Sequence, residues 1–125
     1  VSSEKEHLAA VLALMGGSAR GAYSLGDLKA LGTLPSSYNE VHVVERNPEG
    51  SDRVGSLSGV QQWRVLIRSV AQIYGNAQEM RRRAGELHGA QLTVASENFY
   101  PRRSTTDDPI APDSGWWSGT SEFTY

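Results

Sequence analysis

Thirteen residues, VQQWRVLIRSVAQ at positions 60–72, limit what this chain can fold into more than any other stretch. Trp63, Val65 and Ile67 alternate with Arg64 and Arg68, a period of two in β-branched and aromatic residues that marks a strand with one face toward a core. Leu66 and Val70 interrupt the polar face, so the second face is expected to be partly covered, as in a central strand or one that meets another subunit. Tyr74-Gly75 follows, and then a helix start is predicted at Asn76. The Asn76 side chain is placed to accept from the first-turn N–H groups, and Glu79 to reach back, as in a capping box. Ala77, Met80, Ala84 and Leu87 recur at steps of three and four, a stripe that can lie on the strand. This strand and helix are the expected folding centre.

Around it the chain reads as a single domain over 1–125. Ser3 and Glu6 form a second capping-box pattern, with Leu8, Val11, Leu12 and Met15 as a helical stripe that Gly16-Gly17 closes. Residues 18–36 carry scattered apolar points (Tyr23, Leu25, Leu28, Leu31, Leu34) and read as a connector with one short strand or helical turn, ended by Pro35. Tyr38–Arg46 reads as a strand with Val41 and Val43 on one face and Tyr38, Glu40, His42 and Val44 on the other. The stretch 47–59, NPEGSDRVGSLSG, has one proline, three glycines and little to bury. It is expected to be a flexible loop joining two strands of an antiparallel hairpin, and loops beyond about 12 residues tend to be functional or mobile. Gln91–Tyr100 reads as one strand with Leu92 and Val94 inward, stopped by Pro101. Residues 102–114 read as a second long loop. Trp116–Tyr125 reads as a final strand with Trp117, Gly119, Ser121, Phe123 and Tyr125 facing the core. The sum is an α+β fold: a mixed, mostly antiparallel sheet of four to five strands with two main helices packed on it.

Charge and composition exclude several classes of function. With 12 basic and 14 acidic side chains the net charge is −2, which supplies no general attraction to nucleic acid or anionic membrane. The chain has no cysteine, which excludes a disulfide scaffold and thiolate metal sites, and fits folding in a reducing cytoplasm without requiring it. No apolar run approaches the ~20 residues that span a bilayer. Glu4, Lys5 and Glu6 precede only a short apolar stretch, which does not read as a signal peptide.

No motif assembles a reaction centre. His7, His42 and His88 have no paired spacing, and no phosphate-binding glycine loop or serine elbow is present. The carboxylates Asp107, Asp108 and Asp113 lack the calcium-loop spacing and read as a stiff surface turn. Arg81, Arg82 and Arg83 fan over most of a helical turn, so solvation or salt bridges to a neighbouring subunit fit them better than a compact phosphate clamp. The chain is therefore not expected to be an enzyme, and no cofactor or metal is expected. Of the pair Trp116-Trp117 one ring must point away from the core. An outward Trp116 is either covered by a loop or part of an interface, where this residue is enriched.

Read in order, several segments resemble the small tail terminator proteins of long-tailed bacteriophages, particularly those of actinobacteria. They are Gly26-Asp27-Leu28, Leu31-Gly32-Thr33-Leu34-Pro35, Tyr38 and Val41, then Trp63-Arg64-Val65 and Asn76–Ala84. Asp108–Asp113, Gly115–Gly119 and Phe123-Thr124-Tyr125 complete the set, so the resemblance spans almost the whole chain. It implies a ring-forming fold and a virion protein at the head-proximal end of the tail, assembled in the host cytoplasm. Its copies would form a hexameric ring that caps the tail tube protein, ends tube polymerisation and meets the head connector or stopper protein. Genomic DNA would pass through the lumen without sequence-specific contact, and no membrane would be involved. The loops at 47–59 and 102–114 become the candidates for contacts along the tail axis. Glu49, Asp52 and Arg53 offer charge there, Val54 and Leu57 offer apolar docking groups, and Asp107, Asp108, Asp113 and Trp116 supply the second set. A head-completion or stopper protein of the neck is the related alternative. A small-ligand-binding α+β domain using Trp116, His42 and the arginines is the unrelated one.

Overall fold

The alternation around Trp63 becomes the middle of a five-stranded sheet. A computed structural model describes residues 3–46, 62–110 and 115–125. In chain order the elements are helix α1 (Glu4–Leu14), a 3-10 turn (Gly17–Arg20), β1 (Ala22–Ser24), α2 (Leu25–Leu31), β2 (Ser37–Arg46), β3 (Gln62–Ala71), α3 (Tyr74–Gly85), β4 (Leu92–Val94), β5 (Glu97–Phe99), β6 (Arg102–Thr106) and β7 (Trp117–Thr124). The sheet runs β1-β2-β3-β7-β6, with β1 parallel to β2 and every other pair antiparallel. The expected mixed α+β fold is thus the one observed, with α2 as a third, short helix and β4–β5 as a separate hairpin.

One face of the sheet carries the core. Val41 and Val43 of β2, Trp63, Val65 and Ile67 of β3 and Phe123 of β7 pack against Val11 of α1 and Met15 at its cap, Ala84 of α3 and Leu87 just past its end, and Leu92 and Val94 of β4. Asn39 and Ser69 are buried on the same face without wasting their polar atoms. Ser69 Oγ donates to Asn39 Oδ1 at 2.7 Å, and Asn39 Nδ2 donates to the Met80 carbonyl at 2.9 Å. A buried amide left unpaired would cost about 1–3 kcal/mol, so this pair of bonds fixes α3 on the sheet in one register.

The α1 start follows its sequence signal. Ser3 Oγ accepts from the Glu6 N–H at 3.2 Å and Glu6 Oε1 accepts from the Ser3 N–H at 2.9 Å. The helix ends at Met15, and Gly16 takes the left-handed conformation with φ of 89°. The connector at 18–36 holds both a short strand and a helix, the latter begun by Ser24 and Asp27 in a reciprocal cap.

Three expectations are corrected. Helix α3 starts at Tyr74, with Ile73 in the cap position and no side-chain cap bond, so Asn76 lies inside the helix and caps nothing. Glu79, instead of reaching back, binds Arg82 and Arg83. The predicted single strand at 91–100 is a hairpin that turns at Ala95 and Ser96, both at positive φ (50° and 69°). The predicted loop at 102–114 begins as strand β6, paired along β7 with a register shift between Arg103 and Thr105.

Candidate functional site

The second face of the sheet is covered at one end only. There Leu28 of α2 meets Tyr38 and Val70, with Tyr23 and Trp116 packed alongside. Beyond this cluster the register sets side chains in rows across β2, β3 and β7: Glu40, Arg68 and Thr120, then His42, Leu66 and Glu122, then Val44, Arg64 and Thr124. Charges in the rows answer one another. Glu40 accepts from Arg68 Nη2 at 3.2 Å and also bonds His42 Nε2, and Arg64 lies 3.9 Å from Glu122. An antiparallel sheet can leave one face to solvent in this way, and the side chains of these rows are exposed or only partly buried.

The two ends of the sheet differ in what they carry. Arg46 pairs with Gln62, so the segment between β2 and β3 leaves and returns at the end where Trp63 meets Tyr125. At the opposite end Ala71 pairs with Trp117 and Ile110 bridges to Ser118, so the segment between β6 and β7 leaves and returns there. This second end is rich in exposed apolar side chains: Leu34, Ile73, Tyr74 and Ile110 all lie there, Ile73 and Ile110 being 64% and 71% exposed.

Of the interface residues named from the sequence, Glu49, Asp52, Arg53, Val54, Leu57 and Asp113 lie outside the described residues. Asp107 and Asp108 are exposed at the β6–β7 end. The Asp107 N–H donates to the Thr120 carbonyl at 3.0 Å, and the Asp108 carboxylate accepts from Arg81 at 2.6 Å. Trp116 is half-buried, tilted against Tyr38 with 6.4 Å between ring centroids. It therefore closes the small apolar cluster of its own chain. Its neighbour Trp117 meets Tyr74 edge-on at 4.8 Å. Trp116 and His42 share the open face but are held apart by the row of Glu40 and Arg68, and the helical arginines lie with α3 on the other side of the sheet. Close to Gly119 the backbone of Asp107 to Pro109 leaves no space for a Cβ, which explains the glycine within β7.

The arginine run is spent mostly within the chain. Arg82 is shared between Glu79 at 2.7 Å and Glu86 at 3.1 Å, Arg83 reaches Glu79 at 3.2 Å, and Arg20 from the 3-10 turn binds Glu86 at 2.8 Å. The Arg82 hydrogen bond, with help from Arg83, holds the Glu79 carboxyl down to about 2. These groups are open to water, where ion pairs are screened and contribute little. Arg82→Ala is accordingly expected to leave the melting temperature nearly unchanged at physiological salt. A scan of heat denaturation checks it, and a large drop would mean that the network holds α3 in place.

Sequence reading gave His7 no place in the core. It is fully buried, stacked on Trp63 with ring centroids 3.7 Å apart, and its Nδ1 shares a 2.7 Å hydrogen bond with the Tyr125 hydroxyl. The signal was present in the spacing of His7, Val11 and Met15, all on one side of α1. Among the described residues no group of three or more histidines or carboxylates is arranged to hold a metal ion, and no helix is long and apolar enough to cross a membrane. Comparison of the chain with family profiles, with curated proteins and with solved structures returned no match.

Proposed function

We propose that this protein is a structural component of a bacteriophage virion, a tail terminator whose copies close into a hexameric ring. The ring caps the last ring of tail tube subunits, stops their polymerisation and presents its other face to the head connector, with genomic DNA passing through the lumen. The observation that carries the reading is the polarity of the sheet: its two long connecting segments are rooted at opposite ends, one beside Arg46 and Gln62, the other beside Ile110 and Trp117. A cap must offer different surfaces above and below, and copies related by a closed rotation keep each end of the domain on one face of the ring. The resemblance of the ordered segments to tail terminators supplies the rest of the argument.

Assembly tests it directly. Purified protein mixed with tail tube subunits should give tubes of bounded length with a six-fold ring at one end in electron micrographs. Tubes that grow unchecked, or a permanent dimer that never forms a ring, would overturn the reading. A protein that binds the connector and ignores the tube would instead be a stopper.

A further expected result concerns residues 47–61. Because β2 and β3 stay paired out to Arg46 and Gln62, a tight Asn-Gly turn can replace the whole segment. The shortened protein should melt no lower than the parent, since closing a shorter loop carries a smaller entropic cost. It should yield fewer tails capped and joined to heads. Normal particles would show the segment to be dispensable, and a collapsed melting curve would make it part of the fold.

A further inference from the structure

Between α3 and β6 lies an open cleft of about 370 Å³ lined by Gln78, Arg81, Arg82, Gly85, Arg103 and Thr106. Three guanidinium groups line it and, among the described residues, no carboxylate does. Each arginine is in a different condition. Arg82 is taken up by Glu79 and Glu86 on its own helix. Arg81 is held, among the described residues, by Asp108 alone, a carboxylate whose side chain is 75% exposed and which water or another anion can replace. Arg103 has no carboxylate partner among the described residues. Its guanidinium nevertheless packs against two neighbours. It lies 5.6 Å over the Phe123 ring and so close to Gly85 that a Cβ there would collide with it. Such packing does not neutralise the cation, and among the described residues no carboxylate takes its donor fork, which suits a planar oxyanion.

We infer that this cleft docks an acidic peptide segment of a partner protein, with its carboxylates taken by Arg103 and Arg81. A carboxylate already sits at the rim, since Asp108 occupies Arg81 and acts as an internal competitor. Nucleic acid fits less well. A phosphate backbone needs a continuous positive field, whereas here Glu79 and Glu86 stand beside the arginines and the whole chain is net negative. Discrete carboxylates on a flexible peptide can reach the two arginines and avoid those two glutamates. The inference is independent of the ring assembly, because it concerns the isolated chain.

The test uses the full chain and a fluorescein-labelled peptide of alternating glutamate and glycine, followed by fluorescence anisotropy at low salt. Wild type should bind, with affinity falling as salt rises. Arg103→Ala should weaken binding about tenfold, the size of one lost charge-assisted hydrogen bond. Gly85→Ala, which displaces the guanidinium, should weaken it too. Asp108→Asn should tighten binding by removing the competitor, a gain that misfolding cannot mimic. Unchanged binding in both Arg103→Ala and Asp108→Asn would overturn the inference. So would displacement of the peptide by inorganic phosphate or duplex DNA at lower concentration than by unlabelled peptide.

Discussion

Trp63→Ala is expected to destabilise the fold by about 3–5 kcal/mol, the range for truncating a fully buried large aromatic. The ring is 0% exposed and lies between the sheet and α1, stacked on His7 at an interplanar angle of 20°. Among the described residues its indole N–H has no acceptor, so with respect to them the substitution sacrifices packing alone. The cavity would open where α1, β3 and the last residues of β7 meet, and the backbone pairing of Trp63 with Tyr125 would lose its cover. Domains of this kind are stable by only about 5–15 kcal/mol, so this one change removes a large share. Denaturant melts measure it, and a cost below about 1 kcal/mol would mean the aromatic stack contributes little.

Acid should act on the same place. Burial pushes the His7 imidazole below its usual pKa of 6.5, against weaker opposing pulls from Glu6, Glu97 and Glu45. The unfolded chain takes up a proton near pH 6.5 while the folded chain resists it to lower pH. Below that point the unfolded state binds more protons, so stability falls as pH falls, by up to about 1.4 kcal/mol per pH unit for one group. Above about pH 7.5 this contribution is complete and flat. The Tyr125 hydroxyl that meets His7 is pushed upward by burial and stays neutral throughout. Glu79 and Glu86, held low by their arginines, enter only in stronger acid. Melts between pH 7.5 and 5 should show a decline in wild type that is absent in His7→Gln. The same decline in both proteins would place the titrating group elsewhere.

What the sequence made legible follows from how much each element shows its own period. Trp63, Val65 and Ile67 in β3, and Val41 and Val43 in β2, alternate because one face is fully buried, and both strands were readable with their faces. The cap at Ser3 was readable because two short-range bonds suffice to make it. Strand β6 was not, since all of Arg102–Thr106 is exposed. A strand with nothing to bury has no alternation, and only pairing with β7 makes it one. The β4–β5 turn was hidden because Ala95 and Ser96 adopt left-handed backbone without the glycine or asparagine that usually announces it. Asn76 looked like a helix start because its side chain suits one. Tyr74 begins the helix instead, anchored by its ring on Trp117 and by a 2.9 Å bond from Gln78 to its hydroxyl. The interaction surfaces were the least legible, because Arg103 and Gly85 are 18 residues apart and meet only through the fold.

The margins of the sheet set how copies of this chain can and cannot associate. On one side β1 is three residues long, and past it the Glu4 carboxylate accepts the Glu45 N–H at 2.9 Å, occupying a donor that an incoming strand would need. On the other side β6 is kinked by its register shift and carries two arginines. Neither border is a straight, vacant row of backbone groups, and such borders resist strand-by-strand growth. Extension of the sheet from copy to copy is therefore disfavoured at both of these described borders. Association of copies through side-chain contacts is left open by them, and such contacts close into a ring only where the rotation between copies does.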